Sequence, residues 1–345
     1  GPNGMSITLS NDSAGSMLYA VVTSLGSGIV WTGTNSLPGL TNLWDLDSTT
    51  NWVVDGKPTT YQEPFAPGDA VTFNDSGSGL VLLSNTVSPS SMTISNINVT
   101  YTFEGSGRLS GPMTLNKQGS GTATIVFVGN DYTGSTVISG GTLSVFGGQA
   151  IGNASDVVLA DVAHATLAVT NSETIGSLAG GGPAGGNVII EDGALTLAAG
   201  DRTTVFGGRI SGSGSLRLTG NNTMLTLSGD NTYSGGTTIG ASQGSAVLRV
   251  DSDTALGTGT VTFDTAGNAS TARLERGPES ATVRPGASGN RTAMPAIGSS
   301  GSRPLPRPCQ GLSRLASMKS RALVGLATIR GSTISSRSIA SRSTF

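Results

Sequence analysis

Short alternations of apolar and polar residues recur along this chain, and glycine, asparagine, aspartate or serine separates one from the next. The clearest lie within residues 204–240, at 216–218 (Leu-Arg-Leu) and 224–227 (Met-Leu-Thr-Leu). Alternation with a period of two predicts a half-buried β-strand, and the residues between the alternations are those of tight turns. The pattern therefore predicts strand, turn, strand, turn.

The same pattern predicts strands along most of the chain. They fall at residues 6–10, 18–23, 70–73, 80–83, 91–97, 99–103, 113–115, 122–128, 135–138, 142–146, 157–159, 165–169, 176–178, 188–190, 194–197 and 262–264. Residues 180–186, which include Pro183, are predicted to form a loop that leaves the surface. Because equal strands joined by hairpin pairs such as Asn-Gly are missing, the series favours parallel stacking over a meander.

The chain also repeats itself at a distance of about one hundred residues. When Gly229 is aligned with Gly129, GDNTYSGGTT matches GNDYTGSTV with one residue inserted before Tyr233. A strand-turn unit of this kind cannot bury its apolar face alone, so it must stack on its neighbours. The repetition predicts a solenoid.

Three segments carry a resemblance to a known family: GRISGSGSLRLTG (208–220), LTLSGDNTYSGGTTIG (225–240) and VGNDYTGSTVISGGTLSV (128–145). They resemble the strand repeat of autotransporter passenger domains, which are parts of large exported bacterial proteins. The resemblance covers residues 100–265 well and 31–100 loosely. It implies a parallel β-helix that serves as a stalk or scaffold in an adhesin-like protein, either secreted or on the bacterial outer surface. We predict an all-β, right-handed parallel β-helix.

All three tryptophans lie within 22 residues, and Trp44 and Trp52 are followed closely by Tyr61. Flat aromatic faces can stack on sugar rings, so these three residues are the candidate ligand-binding residues. The alternative is that they plug the open end of the β-helix, since solenoids need terminal caps. We favour the cap.

Four segments follow from these patterns: residues 1–30, a Trp-rich cap at 31–70, β-helix repeats at 71–272, and a tail at 273–345. The opening Gly-Pro-Asn-Gly-Met is typical of a processed recombinant chain, so a missing export signal says little. The tail is basic and rich in Arg, Ser and Pro. It is either disordered or, the hypothesis we prefer, the product of a reading-frame shift near residues 275–300, which translating the gene in the alternative frame would test.

Composition supports many short strands, with 52 glycines and only 12% charged residues. Residues 1–270 carry 7 Lys and Arg against 19 Asp and Glu, a net charge of −12, whereas the tail is basic. An acidic body argues against nucleic acid as a partner, because phosphate binding needs clustered cations. The expected partners are glycans or surface proteins, and we expect a monomer. No apolar run reaches the roughly 18 residues of a membrane-spanning helix.

Little in the sequence points to catalysis, a cofactor or a metal. The single cysteine, Cys309, and single histidine, His164, exclude a disulfide and a His-based metal site. Residues 240–244 match G-x-S-x-G, but that motif needs a strand-turn-helix setting. The acid pairs at 45/47 and 251/253 lack the six to eight oxygens that Ca²⁺ prefers. A β-helical hydrolase would need two carboxylates facing each other across a sugar, and a lyase would need a basic residue beside a charge-neutralising group. No such ladder recurs at coil spacing, and Arg202, Arg209, Arg217 and Arg249 are scattered. We therefore predict a non-catalytic protein without cofactor.

Overall fold

In a computed structural model the chain forms a parallel β-solenoid of about nine turns. The structure describes residues 5–11, 18–25, 28–34, 39–63, 67–126, 129–241, 243–265, 270–277, 327–328 and 333–334. All regular secondary structure in these ranges is β-strand. No helix among them has the length and apolarity to cross a membrane. The predicted all-β parallel β-helix is confirmed.

The strands are numbered in chain order. They are β1 Met5–Asn11, β2 Leu18–Leu25, β3 Ile29–Trp31, β4 Leu43–Trp44, β5 Trp52–Val54, β6 Lys57–Thr59, β7 Val71–Phe73, β8 Leu80–Leu83, β9 Thr86–Val87, β10 Ser91–Ile94, β11 Tyr101–Gly105, β12 Arg108–Leu109, β13 Thr114–Lys117, β14 Thr122–Ile125, β15 Thr136–Ile138, β16 Thr142–Gly148, β17 Asp156–Leu159, β18 Thr166–Ile175, β19 Ser177–Gly180, β20 Asn187–Ile190, β21 Ala194–Leu197, β22 Thr203–Phe206, β23 Ile210–Ser211, β24 Ser215–Leu218, β25 Thr223–Leu227, β26 Thr237–Ala241, β27 Gly244–Val250, β28 Val261–Thr265, β29 Ser270–Arg276, β30 Ala327–Thr328 and β31 Thr333–Ile334.

Two long sheets run along the solenoid. One has fourteen strands in the order β30-β29-β27-β25-β22-β19-β17-β15-β13-β10-β7-β3-β5-β6, and the other has thirteen, of which eleven run β31-β28-β26-β24-β21-β18-β16-β14-β11-β8-β4. Most sequential strands from β7 onward alternate between the two sheets, so a strand of either sheet pairs with a strand one coil earlier. β9 and β12 form a separate two-stranded sheet, as do β1 and β2. From β7 to β29 these pairs are parallel, and the main ladders join residues 20 to 26 positions apart.

The core is a set of ladders in which equivalent apolar residues stack coil upon coil. Strands such as β13 and β14 alternate half-buried and buried positions, as the period-two pattern predicts. In one ladder Val81, Phe103 and Ile125 are in register and fully buried. Each coil therefore covers the apolar side of the coil before it.

Glycine is required where consecutive coils approach each other at a bend. Gly105 has φ +128°, and a Cβ there would overlap the carbonyl oxygen of Leu83 in the preceding coil. Gly212 repeats this arrangement at φ +103° against Ile190. Only glycine adopts such a backbone at little cost, so these positions set the sharp bends of the coil.

The two ends of the described ladder differ from its middle. At the start, β3, β5 and β6 add to the fourteen-stranded sheet in antiparallel pairs, after which β3 pairs in parallel with β7. At the other end, β29 pairs in parallel with β27 as far as Arg276, four positions beyond the expected end of the repeats at 272. Most of the predicted tail, and residues 278–300 where the frame shift is proposed, lie outside the described residues.

Candidate functional site

The three predicted ligand-binding residues lie together in the cap. Trp44 ends β4, Trp52 begins β5 and Tyr61 follows β6. The ring centroids of Trp44 and Trp52 are 5.3 Å apart, and those of Trp44 and Tyr61 are 5.4 Å apart, both edge to face. Trp31 and Phe73 complete the cluster, at 5.0 and 5.4 Å from Trp52. Edge-to-face contacts at these distances are favourable.

This aromatic cluster is entirely inside the protein. Trp44, Trp52 and Tyr61 are all 0% exposed. A sugar ring stacks on an aromatic face that solvent can reach, so a carbohydrate could contact these rings only if the cap opened. The arrangement covers the apolar end of the ladder that begins at β7, as a plug would.

Two of the four polar groups in the cluster form hydrogen bonds with neighbouring residues. The Trp31 indole N–H donates to the carbonyl of Ser78 at 3.1 Å, and the Tyr61 hydroxyl donates to the Glu63 carboxylate. Burial and this neighbouring carboxylate raise the pKa of Tyr61 above its ordinary value. The indole N–H groups of Trp44 and Trp52 have no hydrogen-bond partner among the described residues. Burying such donors costs free energy, which the large apolar area of the rings offsets.

The repeated motif forms a buried hydrogen-bonded corner in both of its copies. The Asn130 side chain accepts from the N–H of Leu109 at 2.7 Å and donates to the carbonyl of Ala150 at 2.6 Å. It thereby joins three consecutive coils. Because Asn130 is 3% exposed, its amide stands in for backbone pairing at a point where the strand ladder is interrupted.

The second copy makes the same contacts 101 positions later. Asn231 accepts from the N–H of Ile210 at 2.7 Å and donates to the carbonyl of Ala255 at 2.6 Å. The structure thus makes Asn231 equivalent to Asn130 and places the extra residue before Asn231. Tyr132 and Tyr233 each share a hydrogen bond with the threonine four positions on, at 2.7 and 2.6 Å.

The two copies occupy different sides of the solenoid. In the first, β14 belongs to the thirteen-stranded sheet and β15, after the corner, to the fourteen-stranded sheet. In the second, β25 belongs to the fourteen-stranded sheet and β26 to the thirteen-stranded sheet. The repeating unit is therefore one strand with its corner, which can be placed at different sides of the coil.

Three charged residues, Asp69, Lys117 and Glu173, are buried in the described ranges, and none of them was singled out from the sequence. Lys117 is 0% exposed and in register with Ile94 and Ile138, and its ammonium donates to the carbonyls of Gln118 and Gly119. Burial lowers the pKa of Lys117 to about 8. The alternation of β13 was the available signal, because it puts Leu115 and position 117 on the same inward face.

Glu173 is a further buried charge. It is 1% exposed, and its two carboxylate oxygens accept from the backbone N–H groups of Ala150 and Ile151 at 3.2 and 2.9 Å. Burial raises the pKa of Glu173 from 4.5 to about 7, although both hydrogen bonds act in the opposite direction. Glu173 continues the column of Asn130 and Ala150 into the next coil.

We expect Glu173 to make stability fall as pH rises. Its carboxyl has a higher pKa in the folded state, so the folded state binds more protons between pH 4.5 and 7. The stabilisation is complete below about pH 4.5 and is lost as pH rises to about 7. The expected loss is about 3 kcal/mol, measurable by urea denaturation at pH 5, 6, 7 and 8.

The control is Glu173→Gln, which removes the titration at that position. Its overall stability can fall, since an amide cannot accept both N–H groups, but the difference in pH slope from the original protein isolates Glu173. Identical slopes for both proteins between pH 5 and 7 would contradict the prediction.

The remaining candidates from the sequence are dispersed. His164 is exposed in a turn with φ 69°. Residues 240–241 end β26 and residue 244 begins β27, so the described part of the G-x-S-x-G match joins two consecutive strands. Residue 242 lies outside the described residues. Within the described ranges no three His, Cys, Asp or Glu side chains converge to hold a metal ion.

The acid pairs and arginines make local contacts. Asp45 accepts from the N–H and the hydroxyl of Thr49, both at 2.9 Å. Asp251 pairs with Arg249, and Asp253 pairs with Arg276. These carboxylates belong to turns at the surface or rim of the solenoid, and each has a separate partner.

Comparison with known proteins agrees with the motif geometry. A model of the passenger-associated-transport-repeat family matches residues 115–145 and 224–241, the segments that contain the two Asn-Tyr corners. A further match, 35% identical over 135 residues, is to the protein named Adhesin BmaC autotransporter from Brucella suis biovar 1 (strain 1330). Both matches support autotransporter passenger repeats at these segments of the chain.

The similarity covers a small part of that relative. The match covers 36% of the chain and 4% of that adhesin. No solved structure matches the chain. The matched repeats contain the corners at Asn130 and Asn231 and the strands on either side of them.

Proposed function

We propose that this chain is a non-catalytic, extended scaffold within a large exported, adhesin-like passenger protein, secreted or displayed on the bacterial outer surface. The observation that carries the proposal is the continuous parallel ladder from β7 to β29. A stack of about nine turns at ~4.8 Å per turn extends ~40 Å. Its backbone hydrogen bonds run along the long axis, so the stack resists bending and holds attached parts away from a surface.

The polar side chains favour a scaffold over an enzyme. Several carboxylates accept hydrogen bonds from backbone N–H groups of neighbouring coils. Asp75, for example, accepts from the N–H groups of Ile97, Asn98 and Val99. The pKa of Asp75 is lowered by these hydrogen bonds. A glycosidase instead needs two carboxyl groups facing a common space at ~5–9.5 Å. Carboxylates that accept hydrogen bonds from the next coil in this way stabilise the stacking of coils.

A carbohydrate-binding module that uses Trp44, Trp52 and Tyr61 is the second candidate, supported by the proximity of the three rings. It requires the cap to open, because the rings are buried. A polysaccharide lyase or hydrolase on the same β-helix is the third candidate. We further propose that the chain is monomeric and that its partners are glycans or surface proteins.

Three measurements on the full chain test the scaffold proposal. X-ray scattering should show an elongated particle, and limited proteolysis should leave the region from β3 to β29 intact. Incubation with a panel of neutral and uronic-acid polymers should release no product. Product release would favour the enzyme, and a change in tryptophan fluorescence on adding a glycan, abolished by Trp44→Ala, would favour the aromatic carbohydrate module.

A further inference from the structure

A cleft of about 740 Å³ opens on the side of the solenoid, where loop 180–186 meets the next two coils. Small-molecule sites typically enclose roughly 300–1,000 Å³. The glycines of the loop line the cleft, together with Val205, Arg209, Ser228 and Asp230 from the following coils. The loop was predicted from the sequence, but the cleft beside it arises only when the coils stack.

Hydrogen bonds hold the loop wall in place. The Asp161 carboxylate, from the preceding coil, accepts from the N–H groups of Ala184 and Gly185 at 2.8 and 3.0 Å. Within the loop, the N–H of Gly182 donates to the carbonyl of Gly185 at 2.9 Å. A Cβ at Gly185 would overlap the carbonyl oxygen of Val162. The cleft therefore has a preorganised wall, which lowers the entropy cost of binding.

Arg209 supplies the positive charge of the cleft. Its side chain is exposed, and one guanidinium nitrogen donates to the Thr232 hydroxyl at 3.0 Å. Among the described residues the ion pairs involve Arg108, Arg202, Arg249, Arg273 and Arg276, and Arg209 is in none of them. A guanidinium has five N–H donors and matches a carboxylate in a two-point contact. Arg209 is therefore available to a ligand carboxylate.

The rest of the lining fits a sugar ring. Asn187 and Ser228 offer hydrogen-bonding groups, and the loop glycines bring backbone groups close to the cleft. The Val205 side chain is 55% exposed and provides an apolar surface beside them. A pyranose has hydroxyl groups on its edge and an apolar C–H face, which is the same combination. The Asp230 carboxylate accepts from the hydroxyls of Ser252 and Thr254 at 2.7 and 2.6 Å.

The charge of the body limits how acidic the ligand can be. Residues 1–270 have a net charge of −12, and a field of this sign repels a polyanion. Asp161 and Asp230 also line the cleft, so it holds two carboxylates beside one guanidinium. Each of these carboxylates accepts hydrogen bonds from neighbouring residues. A single ligand carboxylate can contact Arg209, whereas a chain of uronic acids extends into the negative field. The ligand class is therefore a sugar with one carboxylate at the end of a neutral glycan.

We propose that the cleft between loop 180–186 and Arg209 binds a terminal carboxylated sugar, with Arg209 pairing with its carboxylate. This binding site would give the scaffold a ligand. Its biological meaning rests on the proposed adhesin-like role, and it does not involve Trp44, Trp52 or Tyr61.

Calorimetric titration of the full chain tests the site. The probes are a trisaccharide ending in N-acetylneuraminic acid, the same glycan without that sugar, a galacturonic acid oligomer, a hexaglutamate peptide and acetate. We expect the acidic trisaccharide to bind most tightly, and Arg209→Ala to weaken it roughly tenfold or more. Arg217→Ala, which removes an exposed arginine outside the cleft lining, is the matched control and should bind as the original protein does.

A second variant protects the test against a folding artefact. Val205→Glu alters an exposed side chain, so the fold should persist, and its carboxylate should repel the ligand and abolish binding. The proposal is overturned if the acidic trisaccharide does not bind, if it binds Arg209→Ala equally well, or if any other probe binds as tightly. These outcomes leave the scaffold proposal intact, because scattering, proteolysis and product release test it separately.

Discussion

Trp52→Ala is expected to lower the free energy of unfolding by about 3–5 kcal/mol. Trp52 is fully buried and contacts Trp31, Trp44, Tyr61 and Phe73. The substitution leaves a cavity at the end of the ladder and removes four ring contacts at once. Urea denaturation followed by circular dichroism measures the loss, and limited proteolysis should show that cutting begins near the cap.

The control for this substitution is Ile97→Ala. Ile97 is a large apolar residue that is 60% exposed in a turn, so its truncation should change the free energy of unfolding by no more than roughly 0.5 kcal/mol. A Trp52→Ala protein as stable as the Ile97→Ala protein would contradict the role of the aromatic cluster as a buried cap.

Asn130→Ala is expected to lower the free energy of unfolding by about 2–5 kcal/mol, because it leaves two buried backbone groups without a partner. These are the N–H of Leu109 and the carbonyl of Ala150, which belong to the coils on either side. The equivalent Asn231→Ala should cost a similar amount. Hydrogen exchange should show the largest loss of protection at Leu109, which checks that the effect is local.

Asn153→Ala is the matched control, since Asn153 is exposed in a turn of the same solenoid. We expect a change within roughly 0.5 kcal/mol. If Asn153→Ala and Asn130→Ala were equally destabilising, the buried amide column would not be what joins the coils.

The position of most strands follows from local chemistry. The predicted strands at 80–83 and 194–197 coincide with β8 and β21, and most others differ from the observed strands by a few residues at either end. Alternation places every second side chain of a strand on one face, and turn residues flank the strand. Both signals are therefore local in the sequence. The short strands β3, β4, β5, β6, β9 and β12, and the longer β27 and β29, were not predicted. Among the predicted strands, the one at 165–169 differs most. It continues as β18 to Ile175, through Asn171 with φ 69°.

β18 shows why such extensions are hard to predict. Its first half pairs with β20 and its second half with β21. Residues 170–173 are polar (Thr-Asn-Ser-Glu), which favours a turn. The residues on either side of the left-handed Asn171 pair with two different strands of the next coil, and that pairing depends on residues about twenty positions away.

The candidate site shows a similar division. The sequence predicted that Trp44, Trp52 and Tyr61 lie near each other, but composition could not say whether their faces are open. Burial depends on β3, β5 and β6 closing over the end of the ladder. The same holds for Glu173, whose backbone partners Ala150 and Ile151 lie in the preceding coil.

The sequence by itself determined the strand-turn repeat, the stacking into a solenoid and the resemblance to passenger repeats, because the period and the turn residues are properties of adjacent positions. Tertiary structure alone decided that the aromatic residues are buried, that Asn130 and Asn231 bridge coils on different sides, and that Arg209 lies in a cleft beside loop 180–186. Those features depend on which residues meet after each turn of about 21 positions. A shift of one or two residues in coil length changes them without changing the alternation of any strand.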